Sequence, residues 1–289
     1  MPADRAPILA ALAVLALGPL LPLGVRAQPK APAAARPRGA GIAIGDLAWA
    51  DRVVERAELP AKSAWRRLST GDELRTGDTY RTAADATARL AFPWMAVTLG
   101  PSAMLTIPAS TVLSTVLEHG RAEFAGPGRD IVKISVGDGE IRGGGRLVLR
   151  RSVGRTTASA LEGAFRVRAA GRTVEIRAGE GTVVVDGRPP EPKAPLPKAP
   201  RGLLPGGDAV YVRSGQPVEL RWSATGSSHH VEILDLKEDD VLLARDVAQP
   251  PLRVEVPWLG TYRWRVSARD ARGVESRPSA HGLICSVDR

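Results

Sequence analysis

The sequence predicts an all-β protein with two domains. Apolar residues recur at every second position in many short segments, as in half-buried strands. Glycine and aspartate residues that suit tight turns lie between these segments, and long amphipathic helical patterns are scarce. The chain has 289 residues, 44% apolar and 25% charged, which is ordinary globular composition with room for roughly two domains.

Breaks in composition divide the chain into five predicted segments. These are a signal peptide (1–27), a disordered Pro/Ala/Arg tether (28–44), a first β domain (45–187), a Pro-rich linker (188–204) and a second β domain (205–289). Proline favours an extended conformation, so we expect the linker to be a semi-rigid spacer that holds the two domains apart by roughly 35 Å.

The apolar run near the N-terminus fits a secretory signal. Prolines interrupt the run Ala6–Val25, and the small residues Val25 and Ala27 suit cleavage before Gln28. We therefore expect a protein of the periplasm or cell surface. Membrane contact is expected only if this segment is retained as an anchor, an alternative that the sequence leaves open.

The first domain opens with two similar turn motifs. Thr70-Gly71-Asp72 and Thr76-Gly77-Asp78 could supply ligands to a cation or phosphate, but each precedes an alternating or apolar segment and is interpreted as a turn. In "DATARLAF", Leu90 and Phe92 are predicted to face the core while Thr87 and Arg89 face outward.

Two further segments show the same alternation. "GAFRVRA" points Phe165 and Val167 inward and Arg166 and Arg168 outward. In the second domain, "TYRWRVSARD" has Tyr262, Trp264, Val266 and Ala268 inward and Arg263, Arg265, Ser267 and Arg269 outward. Strands at this spacing with turns between them suggest a sandwich.

The histidine pair does not predict a metal site. His229 and His230 are adjacent in a predicted strand, so their side chains point to opposite faces. Ser228, His229 and Asp235 contain the residue types of a catalytic triad, but no nucleophile-elbow motif accompanies them.

The remaining polar or reactive segments favour structural roles. Lys237–Asp240 is acidic without the spacing of a calcium loop. Gly137–Gly145 lacks the Lys-Ser/Thr of a phosphate loop and is interpreted as a hairpin with glycine turns. Cys285 is the only cysteine and is expected to be buried in a strand. No catalytic residue, cofactor or metal site is predicted, the ligand-binding residues stay unknown, and the protein is not expected to be an enzyme.

The formal net charge of +9 lies mainly in the first two-thirds of the chain. The arginines are spread singly along strand-like segments, without the clustered stripe and module typical of nucleic-acid binding. We therefore expect no nucleic acid as partner, and instead an envelope protein or an anionic glycan such as peptidoglycan.

A set of motif positions runs through the first domain: Gly77, Asp78, Tyr80, Thr82, Gly120, Phe124, Gly163, Phe165, Val167, Val174, Ile176, Gly179 and Val183–Val185. With these positions the domain resembles the extracytoplasmic FecR-type domain. Two departures are the hairpin "FPWMAVTL", where the family often has Asp-Gly, and Gly163-Ala164 in place of Gly-Thr. The resemblance implies a stacked β-domain, solenoid-like or sandwich.

The last 85 or so residues resemble fibronectin type III and immunoglobulin-like domains. "LGTYRWRVSARDARGVESRPS" is similar to their F strand and the turn after it, with Tyr262 at the tyrosine corner and Trp222 as the B-strand tryptophan. Trp264 stands where an antibody domain has cysteine, so no inter-sheet disulfide is expected.

The FecR resemblance implies a role in transmembrane signalling. Well-known members combine a cytoplasmic anti-sigma domain, a membrane helix and a periplasmic part that reads an outer-membrane transporter. Few residues precede the apolar run here, so we expect the anti-sigma part to be absent from this chain. The sequence thus predicts a non-catalytic binding or scaffold protein of the bacterial envelope, with a FecR-type sensor as the alternative.

Overall fold

The computed structural model describes residues 41–58, 64–109, 114–127, 132–237 and 240–288. All regular structure in these ranges is β-strand, which confirms the predicted all-β fold. Within the same ranges no helix is long and apolar enough to cross a bilayer. The predicted signal peptide and residues 28–40 of the predicted tether lie outside the described residues. The described residues belong to one compact unit.

The first half of the described chain is a hydrogen-bonded network of fifteen strands. They are β1 (Ala43–Asp51), β2 (Val54–Glu58), β3 (Arg66–Arg67), β4 (Glu73–Arg75), β5 (Asp78–Thr82), β6 (Thr87–Phe92), β7 (Met95–Leu99), β8 (Met104–Thr106), β9 (Ser114–Ala125), β10 (Val132–Val136), β11 (Gly139–Ser152), β12 (Arg155–Ala169), β13 (Arg172–Arg177), β14 (Glu180–Val185) and β15 (Ala194–Pro195).

The main strand order is β15-β14-β12-β11-β10-β9-β7-β6-β1-β4, with β13 paired to β12. Strands β2, β3, β5 and β8 form a branch that joins β9 through β8. Pairs between these strands are antiparallel except β9 with β10. The chain therefore advances by hairpins rather than by parallel rungs. β1 begins at Ala43, so the last two residues of the predicted tether are ordered strand, with Ile44 packed on the core.

The inward positions of these strands form one continuous apolar core. It contains the predicted inward residues Leu90, Phe92, Phe165 and Val167, all buried. Tyr80 is fully buried, and its hydroxyl donates to Asp78 Oδ2 at 3.2 Å. Alternation of apolar and polar residues was therefore a reliable guide to which face of each strand forms the core.

Both Thr-Gly-Asp motifs are turns, as predicted. Gly71 and Gly77 have φ angles of 88° and 83°, in the left-handed region that favours glycine. The Asp72 carboxylate accepts a hydrogen bond from the Ser69 backbone N–H at 2.9 Å, which closes the first turn.

The glycine run at the start of β11 differs from the prediction. Gly137 and Asp138 do form the β10–β11 turn, but Gly143–Gly145 lie inside β11 rather than in a turn. Gly145 pairs with Gly163 of β12, and a Cβ on Gly145 would come within 2.3 Å of the Glu162 carbonyl oxygen. These glycines therefore allow close approach of two backbones at a bend in the hairpin.

The second half of the described chain contains eight strands in two sheets. They are β16 (Arg201–Leu204), β17 (Val210–Arg213), β18 (Pro217–Ser223), β19 (Ser228–Asp235), β20 (Val241–Val247), β21 (Leu252–Glu255), β22 (Gly260–Arg269) and β23 (Gly282–Val287). One sheet has the order β16-β18-β21 and the other β17-β23-β22-β19-β20. Residues from both sheets share one apolar core, so the two sheets form a sandwich.

Tryptophan and tyrosine anchor this sandwich. Trp222 of β18 and Trp264 of β22 lie in the core with ring centroids 6.2 Å apart. The Tyr262 hydroxyl donates to the carbonyl of Leu259, three residues earlier in the chain, at 2.7 Å. No disulfide is present among the described residues, and Cys285 is a free thiol.

The expectation that the linker separates the two halves is wrong. β15 pairs with β14, β16 pairs with β18, and the Thr225 hydroxyl donates to the Lys198 carbonyl at 3.3 Å. The Pro-rich segment therefore lies along both halves, which pack directly on each other. Proline rigidity predicts local extension, but it does not determine whether the two surfaces beyond the segment attract each other.

Candidate functional site at the junction of the two halves

The two halves meet through positions that the sequence predicted to face solvent. Thr87 is buried, and its hydroxyl donates to the Val241 carbonyl of β20 in the second half. Arg265 and Ser267 of β22 are only 9% and 4% exposed, since the first half covers this face of the sandwich. Their predicted outward direction is correct relative to their own core, but their predicted contact with solvent is wrong.

Nine charged or titratable side chains form a cluster at this junction. We call it the junction cluster; its members are Arg121, Glu123 and Arg150 of the first half and His230, Glu232, Asp246, Arg265, Arg269 and Glu275 of the second. It contains four arginines and four carboxylates, so the formal charges of these eight side chains cancel.

Arg121 is the centre of the junction cluster. It lies on β9, and its side chain is only 5% exposed. Its guanidinium lies 2.9 Å from Glu275 Oε1, 3.2 Å from Glu232 Oε1 and 3.3 Å from Glu123 Oε2. Two of these three carboxylates come from the other half, so Arg121 connects the halves through buried charge-assisted hydrogen bonds.

Arg265 and His230 extend the network inside the second half. Arg265 Nε donates to Glu232 Oε2 at 2.6 Å, and Glu232 Oε1 lies 3.2 Å from His230 Nε2. His230 Nδ1 lies 2.7 Å from Asp246 Oδ1. Glu232 therefore has a positively charged partner from each half of the molecule.

Asp246 forms the outer edge of the junction cluster. Its carboxylate accepts two hydrogen bonds from Arg150, at 2.7 and 3.1 Å, and one from Arg269 at 3.2 Å. The Asp246 side chain is 41% exposed, so this bidentate pair is partly screened by water. It is a second link between the halves, at the rim rather than at the centre.

Hydrogen bonds with uncharged groups also hold Glu275 in place. The Ser267 hydroxyl donates to Glu275 Oε1 at 2.8 Å, and the Glu275 backbone N–H donates to the Ser159 hydroxyl of β12 at 2.9 Å. The buried Val274 beside it contacts the first half near Gly181. Glu275 is thus fixed on both its side chain and its backbone.

The cluster keeps its carboxylates ionised despite burial. Burial opposes ionisation of Glu275, but Arg121 outweighs it and lowers the pKa of Glu275 to about 2. Burial acts in the same way on Glu232, where Arg265 and Arg121 hold the pKa well below its ordinary value. Against burial, His230 and Arg150 lower the pKa of Asp246. At neutral pH the junction therefore contains formed, paired charges.

Two clefts open beside the junction cluster. A cleft of about 190 Å³ is lined by Ala84, Pro101, Arg121, Arg150, His230, Ala244, Arg245 and Asp246. A wider one of about 380 Å³ includes Arg89, Glu123, Arg146, Arg265 and His281 in its lining. The smaller cleft has four residues of the junction cluster in its lining and the wider cleft has two, so both border the junction between the halves.

The candidate triad residues do not come together. His229 and Asp235 lie at opposite ends of β19. His229 Nδ1 lies 3.3 Å from the Ala248 carbonyl, its Nε2 accepts from the Thr225 N–H, and its ring packs on Trp222. The two histidines do point to opposite faces, since His229 faces the sandwich core while His230 faces the junction.

The other segments considered from sequence have structural surroundings. Within Lys237–Asp240, the described Asp240 lies 3.3 Å from Arg89 across the junction, and residues 238–239 are outside the described ranges. Cys285 is in β23 as predicted but is half-buried rather than buried, because its neighbour Ile284 takes the core position. No group of three potential ligands among the described His, Cys, Asp and Glu residues could hold a metal ion.

The residues of the junction cluster were not predicted from the sequence. Arg121 and Glu123 share one face of a strand, and Arg265 and Ser267 share one face of another. This spacing was visible, but a strand's outward face looks the same in sequence whether water or another half covers it. The available signal was the pair of opposite charges, Arg121 and Glu123, at alternate positions of "HGRAEFA".

Comparison with known proteins gives weak likenesses. No protein-family model matches the chain, and no curated protein matches it significantly. Among solved structures, two crystal structures of a "putative anti-sigma factor" from Parabacteroides distasonis ATCC 8503 are similar at 13% identity with a TM-score of 0.35. The match covers 40% of this chain and 59% of that protein. Dimeric latent PorU from Porphyromonas gingivalis is similar at 13% identity with a TM-score of 0.23, over 85% of this chain and 29% of PorU.

Proposed function

We propose that the chain is an exported, non-catalytic protein of the bacterial cell envelope that acts as a binding or scaffold module. The observation that carries this proposal is the junction cluster. Buried ion pairs join the two β halves, so surfaces on both halves are presented in one fixed arrangement. A pair of modules on a flexible tether would lack this property.

The second half adds support through its strand order. Its three-stranded and five-stranded sheets share a core around Trp222 and Trp264, and Tyr262 bonds back to Leu259. This arrangement suits the fibronectin-III or immunoglobulin-like fold that the sequence resembles. Such sandwiches present loops and strand edges to other proteins, and the fold by itself does not specify a ligand.

The chemistry of the buried polar groups also favours binding over catalysis. His229 bonds to backbone groups, and His230 lies between two carboxylates of the junction cluster. Catalytic groups need an open side towards substrate. The buried charges of the junction are instead paired with each other, as expected of an element that holds two surfaces together.

Cell fractionation with N-terminal sequencing tests the location and form of the protein. We expect a mature chain that starts at Gln28 in the periplasm or on the surface, retained by envelope material. A chain found in the cytoplasm with residues 1–27 intact would contradict the proposal. Measurable turnover of envelope polymers by the purified protein would contradict its non-catalytic part.

A second candidate is a periplasmic sensor of a FecR-type signalling system, with the anti-sigma part on another chain. The positions that carry the FecR resemblance favour it, because Asp78 and Tyr80 are buried and joined by a hydrogen bond in the first half. This candidate expects a membrane-bound form that keeps its N-terminal segment and co-purifies with a membrane partner. A soluble mature form without such a partner would exclude it.

A further inference from the structure

The outward face of β10, β11, β12 and β13 concentrates positive charge. Its outward side chains include five cations and two carboxylates: Lys133, Arg142, Arg166, Arg168 and Arg177 with Glu140 and Glu175. We call this surface the arginine face. Residues 45–187 carry 20 basic and 17 acidic residues. Residues 45–187 therefore have a net charge of +3, and the five cations and two carboxylates of the arginine face also sum to +3.

Strand register brings these charges together although they are spread singly in the sequence. Lys133 lies opposite Arg142, Arg142 opposite Arg166, and Arg166 opposite Glu175. Neighbouring strands are about 5 Å apart, so this row of charges crosses four strands within roughly 15 Å. The sequence expectation of dispersed arginines without a cluster is therefore wrong for this face.

The carboxylates of the arginine face do not neutralise it. Glu140 lies 2.8 Å from Lys133 and also pairs with Arg142, and hydrogen bonds from Arg142 and Lys133 lower its pKa. Glu175 accepts from Arg177 at 2.9 Å. Five cations nevertheless outnumber two carboxylates on the face, so it keeps a net positive charge.

A shallow cleft runs through the middle of this surface. It measures about 340 Å³ and is lined by Glu140, Arg142, Arg166, Arg168 and Thr173. Planar guanidinium groups bind carboxylates in a bidentate manner, and several of them in a row suit a polymer with repeated acidic groups. The lining contains no aromatic ring, whereas single-stranded nucleic acids are bound largely by stacking on aromatic side chains.

The pairing of Arg142 with Arg166 does not favour the stability of the sheet. They are directly opposite each other on adjacent strands, and like charges in such pairs destabilise a sheet. The inward faces of the same strands carry the core residues Ile134, Ile141 and Phe165. Arg142 and Arg166 therefore point away from this core and have no role in packing it.

We propose that the arginine face binds an acidic glycan, a polysaccharide with repeated carboxylate groups. The inference rests on the proposed function, because export to the envelope brings the face into contact with such polymers. Charge complementarity, the spacing of the guanidinium groups and the polar cleft all match this ligand class.

A binding experiment with defined polymers tests this assignment. The probes are polygalacturonate, uncharged dextran and single-stranded oligothymidylate, each titrated with the full mature chain. We expect binding to polygalacturonate that weakens as salt rises from about 50 to about 200 mM, and none to dextran. The double variant Arg166→Glu/Arg168→Glu is expected to bind polygalacturonate at least about 10-fold more weakly.

A matched control separates this face from general positive charge. Arg221→Glu/Arg253→Glu changes the net charge by the same amount on exposed strands of the second half, where both arginines pair with Glu219. We expect its affinity for polygalacturonate to stay within about twofold of wild type. Thermal unfolding of both variants checks that they remain folded, which outward positions on exposed strands predict.

Three outcomes overturn the proposal. Equal losses in the two double variants would assign binding to diffuse charge, and tighter binding of oligothymidylate than polygalacturonate would assign the face to nucleic acid. Absence of polygalacturonate binding by the folded wild type would also refute it. If the protein is exported and retained by the envelope while any of these occurs, only this inference fails. Failure of export would instead contradict the proposed function.

Discussion

Two strands of similar pattern, β22 and β12, have different surroundings. Both alternate apolar residues with outward polar ones. In β22 the outward Arg265 is buried against Glu123 and Glu232 of the junction cluster, whereas in β12 the outward Arg166 and Arg168 are exposed on the arginine face. Period-two alternation therefore identifies the two faces of a strand but does not identify what covers each face. Arginine is buried in ion pairs at one place and exposed at the other.

The largest expected effect comes from removing the central cation of the junction. Arg121→Met leaves Glu275, Glu232 and Glu123 buried without their shared partner, so the free energy of unfolding should fall by about 3–5 kcal/mol. Chemical denaturation at neutral pH measures it. Arg166→Met is the matched control, and a similar loss there would contradict the contrast between the two strands.

Acid should weaken the junction for the same reason. Glu275 has a folded-state pKa of about 2, below its ordinary value of 4.5, so it contributes stability that is present above pH 4.5 and is lost as pH falls towards 2. The shift corresponds to about 3 kcal/mol from Glu275 alone. Unfolding free energies measured from pH 7 to pH 2.5 should decline mainly below pH 4.5.

The variant Glu275→Gln tests that assignment, because it removes the titrating group while keeping its size. Its stability at pH 7 should be lower than that of wild type, and its decline with acid should be shallower. An unchanged acid profile would place the pH dependence elsewhere in the molecule.

A smaller effect is expected at the rim of the junction. Arg150 and Asp246 form a bidentate pair, but Asp246 is 41% exposed and water screens the interaction. A double-mutant cycle with Arg150→Ala and Asp246→Ala should give a coupling energy of about 1 kcal/mol or less, and weaker still in high salt. A coupling energy as large as the loss of stability expected for Arg121→Met would show that the exposure of Asp246 does not weaken this pair.

The smallest effect is expected on the arginine face. Arg166→Thr removes an exposed charge that lies opposite Arg142, and threonine suits a strand, so stability should stay within about 0.5 kcal/mol of wild type. Thermal and chemical unfolding measure this change. A loss above about 1.5 kcal/mol would mean that Arg166 has a structural role like that of Arg265.

The fold was largely predictable from sequence because its causes are local. Short stretches of chain determine the alternation at Leu90 and Phe92 and the glycine turns at Gly71 and Gly77. The hydrogen bond from Tyr262 to Leu259 is equally local. The junction cluster was not predictable in this way. Arg121 and Glu275 are far apart in sequence, and only the packing of the two halves shows that they share a hydrogen bond.

The Pro-rich segment between the halves also affects strand pairing between copies of this chain. Its residues Ala194–Pro195 cover the open side of β14, where exposed backbone amides could otherwise pair with a strand of another copy. Proline has no N–H to offer in turn, so this border cannot extend the sheet by regular pairing. At this border the segment therefore hinders the addition of a strand from another copy.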